Sequence, residues 1–427
     1  MPPITDHPLR YQLSNELHAR PFPSVSAGSR AVFLALKHQG GAGPEAAAAD
    51  LAHLVELLDR YGAPHPQPGA THYFGALGRH RIKWERHTEF VTLTLLLEGL
   101  SERAFDPHDF DVFPEDWIAA APGQRITSCT LRIEAQHDTS IIQSKVSDWF
   151  VRESLAVSSV LDRAAIVAGD FHIDPAGHTR FAIFAGAGVG QGRIGRIVQR
   201  LFEIETYKSM SMLGFAHVRD LSPRMGELDF ELTKLMTQMQ NASGQAETQL
   251  DDLLHVSTEL EALQAASSYR FGATGAYEAI VSQRIAALRE QPFEGRQTLA
   301  EFMMRRFDPA MRTVTSTQGR LQSMAERAIR AAQLLRTRVD VDRSAQNQKL
   351  LESMDRRADM QYRLQETVEG LSVVAISYYA VSLVAYLLYP LTDLIEVSKG
   401  VITAAVTLPV VLLVWLGVRR IRKKTHG

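Results

Sequence analysis

The chain has 427 residues, with 46 Lys and Arg against 48 Asp and Glu and a net charge of -2. That balance gives no electrostatic reason to expect a nucleic-acid or polyanion partner. Cys129 is the single cysteine, so an internal disulfide and a cysteine-based metal site are both excluded, as suits a reducing compartment.

The opening stretch "MPPITDHPLRYQ" has neither a basic start nor an apolar segment, and is not expected to act as a secretory signal. "SRAVFLALKH" (29–38) alternates with a period of two, as a strand does. An amphipathic helix is expected over about 45–60. "THYFGALGRHRIKWERHTEFVTLTLLLEG" reads as three strands with turns at Gly78 and around 86–88. "RITSCTLRIEAQ" is a further strand, and "AAIVAGDFHIDPAGHTRFAIFAGAG" a hairpin turning over 174–177. Residues 1–192 are therefore expected to form a cytosolic α+β domain with a mostly antiparallel sheet.

Residues 193–308 read as a helical region, with helices over 193–219, 225–269 and 277–290. Asp308 and Pro309 then suit a helix start. No proline follows until Pro390, and Leu321, Ala328 and Leu335 repeat every seven residues. A stalk helix over 309–370 is expected, running on into the apolar stretch behind it. At 1.5 Å per residue the whole would be on the order of 120 Å long, too long to stand alone in water. It needs partners in its own chain or in other copies, which points to a homo-oligomer.

Two uncharged apolar runs close the sequence, 371–391 and 401–418, around a short loop at 392–400. Roughly 20 helical residues cross a bilayer, so a transmembrane hairpin in contact with membrane lipid is expected. Arg356, Arg357 and Arg363 precede it, and "RRIRKK" opens the basic tail at 419–427. The excess of Lys and Arg at the two ends predicts that both termini are cytoplasmic and the loop external.

Five groups of residues carry possible chemistry. Asp170, His172 and Asp174 are expected on one strand face with His178 across the turn; all are metal-ligand types, so a divalent cation stands as the open cofactor, although a solvated polar strand face is the preferred reading. Gly190, Gly192 and Gly195 have the G-x-G-x-x-G spacing, but no second parallel strand or acidic strand end follows, so a strand-to-helix joint is expected instead of a dinucleotide site. Glu16, His18 and Arg20 lack a nucleophile within sequence reach, and no known catalytic motif occurs, so no enzyme class is assigned. In the first span Ser372, Tyr379, Ser382, Tyr386 and Tyr389 form a polar stripe, a pore or a helix interface, and Asp393 and Glu396 make an acidic external loop.

"HPLRYQLSNELHARPF", "GRIVQRLFEIETYK", "LLRTRVDVD" and "MQYRLQETVEGLSVVAISYYAV" resemble the motifs of a bacterial family of uncharacterised membrane-anchored proteins over nearly the whole chain. That resemblance implies an anchor in the bacterial cytoplasmic membrane and no activity. The order of parts is also similar to the CorA-type magnesium transporters, whose first span lines a pore in a homopentamer. Their Gly-Met-Asn signature is absent, and "YLLYPLTDL" stands in its place. The expectation is a CorA-like cation channel, transporter or sensor; the alternative is a non-transporting scaffold or regulator that presents its cytosolic domain to partners.

Overall fold

The computed structural model describes residues 4–11, 13–14, 22–38, 43–240, 246–388, 390 and 398–425. The chain divides into two compact units. The first holds residues 1–242 and 251–331, the second residues 243–250 and 332–427.

The first unit is built on one nine-stranded sheet. In chain order its elements begin with β1 (Ser29–Lys37), α1 (Pro44–Arg60), β2 (His72–Leu77), β3 (His80–Arg86) and β4 (Phe90–Glu98). After a short 3-10 helix come α2 (Glu115–Ala119), β5 (Gln124–Ala135), α3 (Thr139–Trp149), β6 (Ala156–Val160), β7 (Ala165–Gly169) and β8 (Thr179–Ala185). The order strand, helix, three strands thus occurs twice, apart from the small α2. Two long helices follow, α4 (Gln191–Gln240) and α5 (Ala246–Leu288), then β9 (Gln291–Pro292) and α6 (Leu299–Arg306). The strand order is β2-β3-β4-β1-β5-β8-β7-β6-β9. Every pairing is antiparallel except β5 with β8, where Cys129 lies opposite Thr179.

The pleat decides what each face buries. Val32, Leu34, Ile82, Trp84, Val91 and Leu93 join Leu54, Leu57 and Leu58 of α1 in one apolar core. A second core gathers Ile142 and Val146 of α3 with Val157, Ala168 and Phe184. The alternate residues face α4. Phe33 stacks on Phe202 with ring centroids 4.6 Å apart. Thr127 donates to Glu205 at 3.1 Å. The side chain of Lys83, 5% exposed, reaches Gln199. The sheet is therefore covered on both sides, and the α4 side is the polar one.

The expected breaks between the long helices fall elsewhere. Pro223 lies inside α4, and α5 runs on through Gly272 and Gly275. Tertiary contact overrides local propensity here. A Cβ on Gly214 would collide with the Thr274 hydroxyl, so α4 and α5 approach closely in this region. Arg224 pairs with Glu259 across the same two helices, with both its bonds at 2.5 Å. α6 opens with a capping box between Thr298 and Glu301.

α7 (Asp308–Leu388) is one continuous helix of 81 residues, shared between the units. In the second unit it is followed by α8 (Lys399–Thr425), which contains Pro409. From residue 340 to 368 every residue of α7 is exposed. α7 and α8 each hold an 18-residue window long and apolar enough to cross a membrane. Only 11% and 0% of those two windows is buried.

Candidate functional site

A cleft of about 310 Å³ lies between the polar face of the sheet and the helices α4 and α5. One wall comes from β3, where alternation sends Ile82 and Trp84 into the apolar core and Lys83 and Glu85 to the other side. Lys83 Nζ lies 3.0 Å from Glu85 and donates to Gln199 Oε1 at 3.0 Å. Gln199 Nε2 donates to Glu203 at 2.8 Å, and Arg284 of α5 donates to the other oxygen of Glu203. A relay of polar contacts thus crosses from strand to helix to helix.

Arg200 stands one residue along from Gln199. Its Nη1 donates to the carbonyl of Ala287 at 2.9 Å. Among the described residues no carboxylate forms an ion pair with it. Burial pulls its pKa below the ordinary arginine value, and the neighbouring charges of Arg196 and Arg284 push the same way. The floor is aromatic, with Phe33, Phe90 and Phe202, and Phe22 stands at the rim, 48% exposed.

Beside the cleft a second buried group braces α5 against the sheet. Glu89, 4% exposed, accepts two bonds from Arg270 and one from the Tyr277 hydroxyl at 2.8 Å. Burial alone would raise the Glu89 pKa, but these donors outweigh it and hold the carboxylate below its ordinary range. Burial, and then the bond to Glu89, raise the Tyr277 phenol well above its own.

The segment 170–178 is not a strand, because β7 ends at Gly169 and β8 begins at Thr179. The expected strand face shared by Asp170, His172 and Asp174 is therefore absent. Asp170 accepts from Arg180 at 2.8 Å and from the Val151 amide at 3.0 Å. Asp174 accepts from the His178 amide at 2.9 Å, closing the turn. His172 Nδ1 lies 2.8 Å from its neighbour's carbonyl. His178 is buried, stacked on Phe110 at 3.7 Å and hydrogen-bonded to Ser128 at 2.8 Å. Among the described residues no group of three or more His, Cys, Asp or Glu side chains is placed to hold a metal ion.

The glycine-rich joint opens α4, and Gly195 has a packing role. A Cβ there would overlap the carbonyl oxygen of Pro23. The extended segment over 22–26 thus lies directly on α4, and the Val25 amide donates to the Gln191 carbonyl at 3.1 Å. Glu16, His18 and Arg20 fall outside the described residues, as do Tyr389, Asp393 and Glu396.

In the second unit a cleft of about 450 Å³ lies between the apolar part of α7 and α8. Ser382 and Tyr386 of the expected stripe line it, together with Tyr378, Thr403 and Thr407. Ser372 and Tyr379 do not, and Tyr379 is 68% exposed. The small and β-branched residues Ser377, Val381 and Ala385, spaced by four, choose the packing face instead. The hydroxyls of Ser372, Ser382, Thr403 and Thr407 each bond to the carbonyl four residues back. Ser377, 5% exposed, has no hydrogen-bond partner among the described residues.

The sequence reading missed the soluble cleft. Its signal was the alternation in "IKWERHTEFVTLT", which announces a strand with one polar face but does not say whether water or a helix covers it. The stretch "GRIVQRLFEIETYK" supplies the helical wall, Gln199, Arg200, Phe202 and Glu203 among it.

A family model described as a protein of unknown function, DUF3422, matches residues 5–425. No curated protein and no solved structure matches the chain.

Proposed function

We propose that this chain, which belongs to the DUF3422 family, is an integral membrane protein that assembles with copies of itself and presents its sheet unit to partners. Two apolar windows support the membrane reading. A core helix of a soluble protein would bury such a window, whereas 11% and 0% of these are buried. Both termini then belong on the cytoplasmic side, because the loop holds only Lys399 against the basic cluster 419–424 and Arg356, Arg357 and Arg363 on the other sides of the spans.

Self-assembly rests on α7. Leu350, Leu351, Met354 and Leu364 are 58–65% exposed, in a stretch whose residues from 340 to 368 are all exposed and which is tied to α5 through Arg343 and Glu247. A helix of that length needs packing to persist in water. Exposed side chains of both signs line it, among them Asp342, Arg356, Arg357 and Asp359, which suits contact with identical copies. Light scattering of the purified chain in detergent tests this. A single closed oligomer supports the proposal, and a monomer at all concentrations opposes it.

One observation favours a CorA-like cation path as a second reading. Ser372 and Tyr379 are exposed and do not line the cleft with α8. The Ser372 hydroxyl bonds back to the Val368 carbonyl, so the reading rests on the Tyr379 hydroxyl, which in an apolar span needs another copy or a column of water. Flux through liposomes holding the oligomer separates the two. Flux of monovalent or divalent cations above that of empty liposomes supports conduction, and its absence leaves the anchored, partner-presenting protein.

A further inference from the structure

We infer that the cleft under α4 binds a small organic carboxylate with an apolar or aromatic body, and that Arg200 holds the carboxylate group. The charges of the wall carry the argument. Lys83, Arg200 and Arg284 line the cleft, against Glu85 and Glu203. Glu85 is engaged by Lys83, and Glu203 by Gln199 and Arg284. Among the described lining residues the remaining charge is one positive, and it sits on Arg200, whose side chain bonds to a backbone carbonyl. Among the described residues no carboxylate pairs with this half-buried guanidinium, which is costly for it, and its fork fits a carboxylate in two parallel hydrogen bonds.

The rest of the wall selects the body and limits the charge. Phe33 and Phe202, stacked at 4.6 Å, and Phe90 all line the cleft, so a flat or apolar group finds a matching surface. The volume of about 310 Å³ is at the small end for ligand pockets. Glu85 and Glu203 in the wall repel a second negative charge, which disfavours a phosphate dianion. Arg200 itself disfavours an amine.

The experiment is ligand-observed NMR on the full chain in detergent, with benzoate, phenylacetate and hexanoate as probes. Phenethylamine and inorganic phosphate serve as controls. At least one carboxylate should bind, and the amine and phosphate should bind at least about tenfold more weakly. Arg200→Gln should lower the carboxylate affinity about ten- to hundredfold, and Arg200→Lys should fall between it and the unchanged chain. Should the glutamine variant fail to fold, the lysine variant and the amine control on the unchanged chain still decide. Three outcomes overturn the inference: no carboxylate binding at about 10 mM, equal binding of the amine or phosphate, or a folded Arg200 variant that binds as well as the unchanged chain.

Discussion

The guanidinium of Arg270 grips both oxygens of the Glu89 carboxylate, at 2.7 and 3.3 Å, and so ties the middle of α5 to the start of β4 across 181 residues of sequence. Lys37 stands 3.7 Å from the same carboxylate. Removing one member of a buried pair leaves the other uncompensated. Glu89→Gln should therefore lower the unfolding free energy of the sheet unit by about 3 kcal/mol. The double substitution Glu89→Leu with Arg270→Met should cost less than the sum of the two singles. Thermal unfolding of the four variants measures this coupling.

Gly195 makes a second prediction. Because a Cβ would overlap the Pro23 carbonyl, Gly195→Ala must push the segment over 22–26 away from α4 or shift the helix. Overpacking of this kind costs about 1–3 kcal/mol. Faster amide exchange at Val25, whose amide donates to Gln191, is the direct readout. Unchanged exchange would contradict the packing role given to this glycine.

His178 sets part of the acid response. Burial holds its pKa at about 4, below the ordinary value of 6.5. The folded chain keeps the ring neutral, while the unfolded chain takes up a proton below pH 6.5. The stability that follows is complete above pH 6.5 and is lost as pH falls toward 4, up to about 3 kcal/mol. His53 and His80 are lowered by burial too, so they add to the same slope. Denaturant unfolding between pH 7 and 4 should show a shallower decline for His178→Gln. An identical slope would contradict the assignment.

Self-assembly along α7 makes a fourth prediction. Leu351→Asp with Met354→Asp changes two exposed positions, 65% and 58% accessible, so the sheet unit should keep its thermal transition. The oligomer should dissociate or shrink. A variant that keeps the full oligomer would place the contact elsewhere.

Period-two alternation was enough to locate β1 to β5, β7 and β8, because each has at least one apolar face. β6, "AVSSV", is buried throughout and carries no alternation, and the short α3 has only two buried positions, Ile142 and Val146. The single long helix was legible in the absence of proline after Pro309. The helix boundaries around Pro223 and Gly272 were not, since they depend on how closely α4 and α5 pack. The soluble cleft was hidden for a related reason. Lys83 and Arg200 lie 117 positions apart, and only the fold over of α4 onto the sheet brings them to one wall. The turn over 170–178 was legible, but the part each residue plays was not, because Asp, His and turn residues serve loop closure as readily as metal binding.

The membrane hairpin is tested most directly by labelling with a thiol reagent that does not cross membranes. Cys129 is fully buried and its thiol is raised well above the ordinary value by desolvation, so the native chain gives a silent background. Ser398 and Ser344 are both exposed and lie on opposite sides of the first span. The account predicts that Ser398→Cys is labelled from outside intact cells, and Ser344→Cys only after they are permeabilised. Equal labelling of the two before permeabilisation, or recovery of the chain in the soluble fraction, would contradict it.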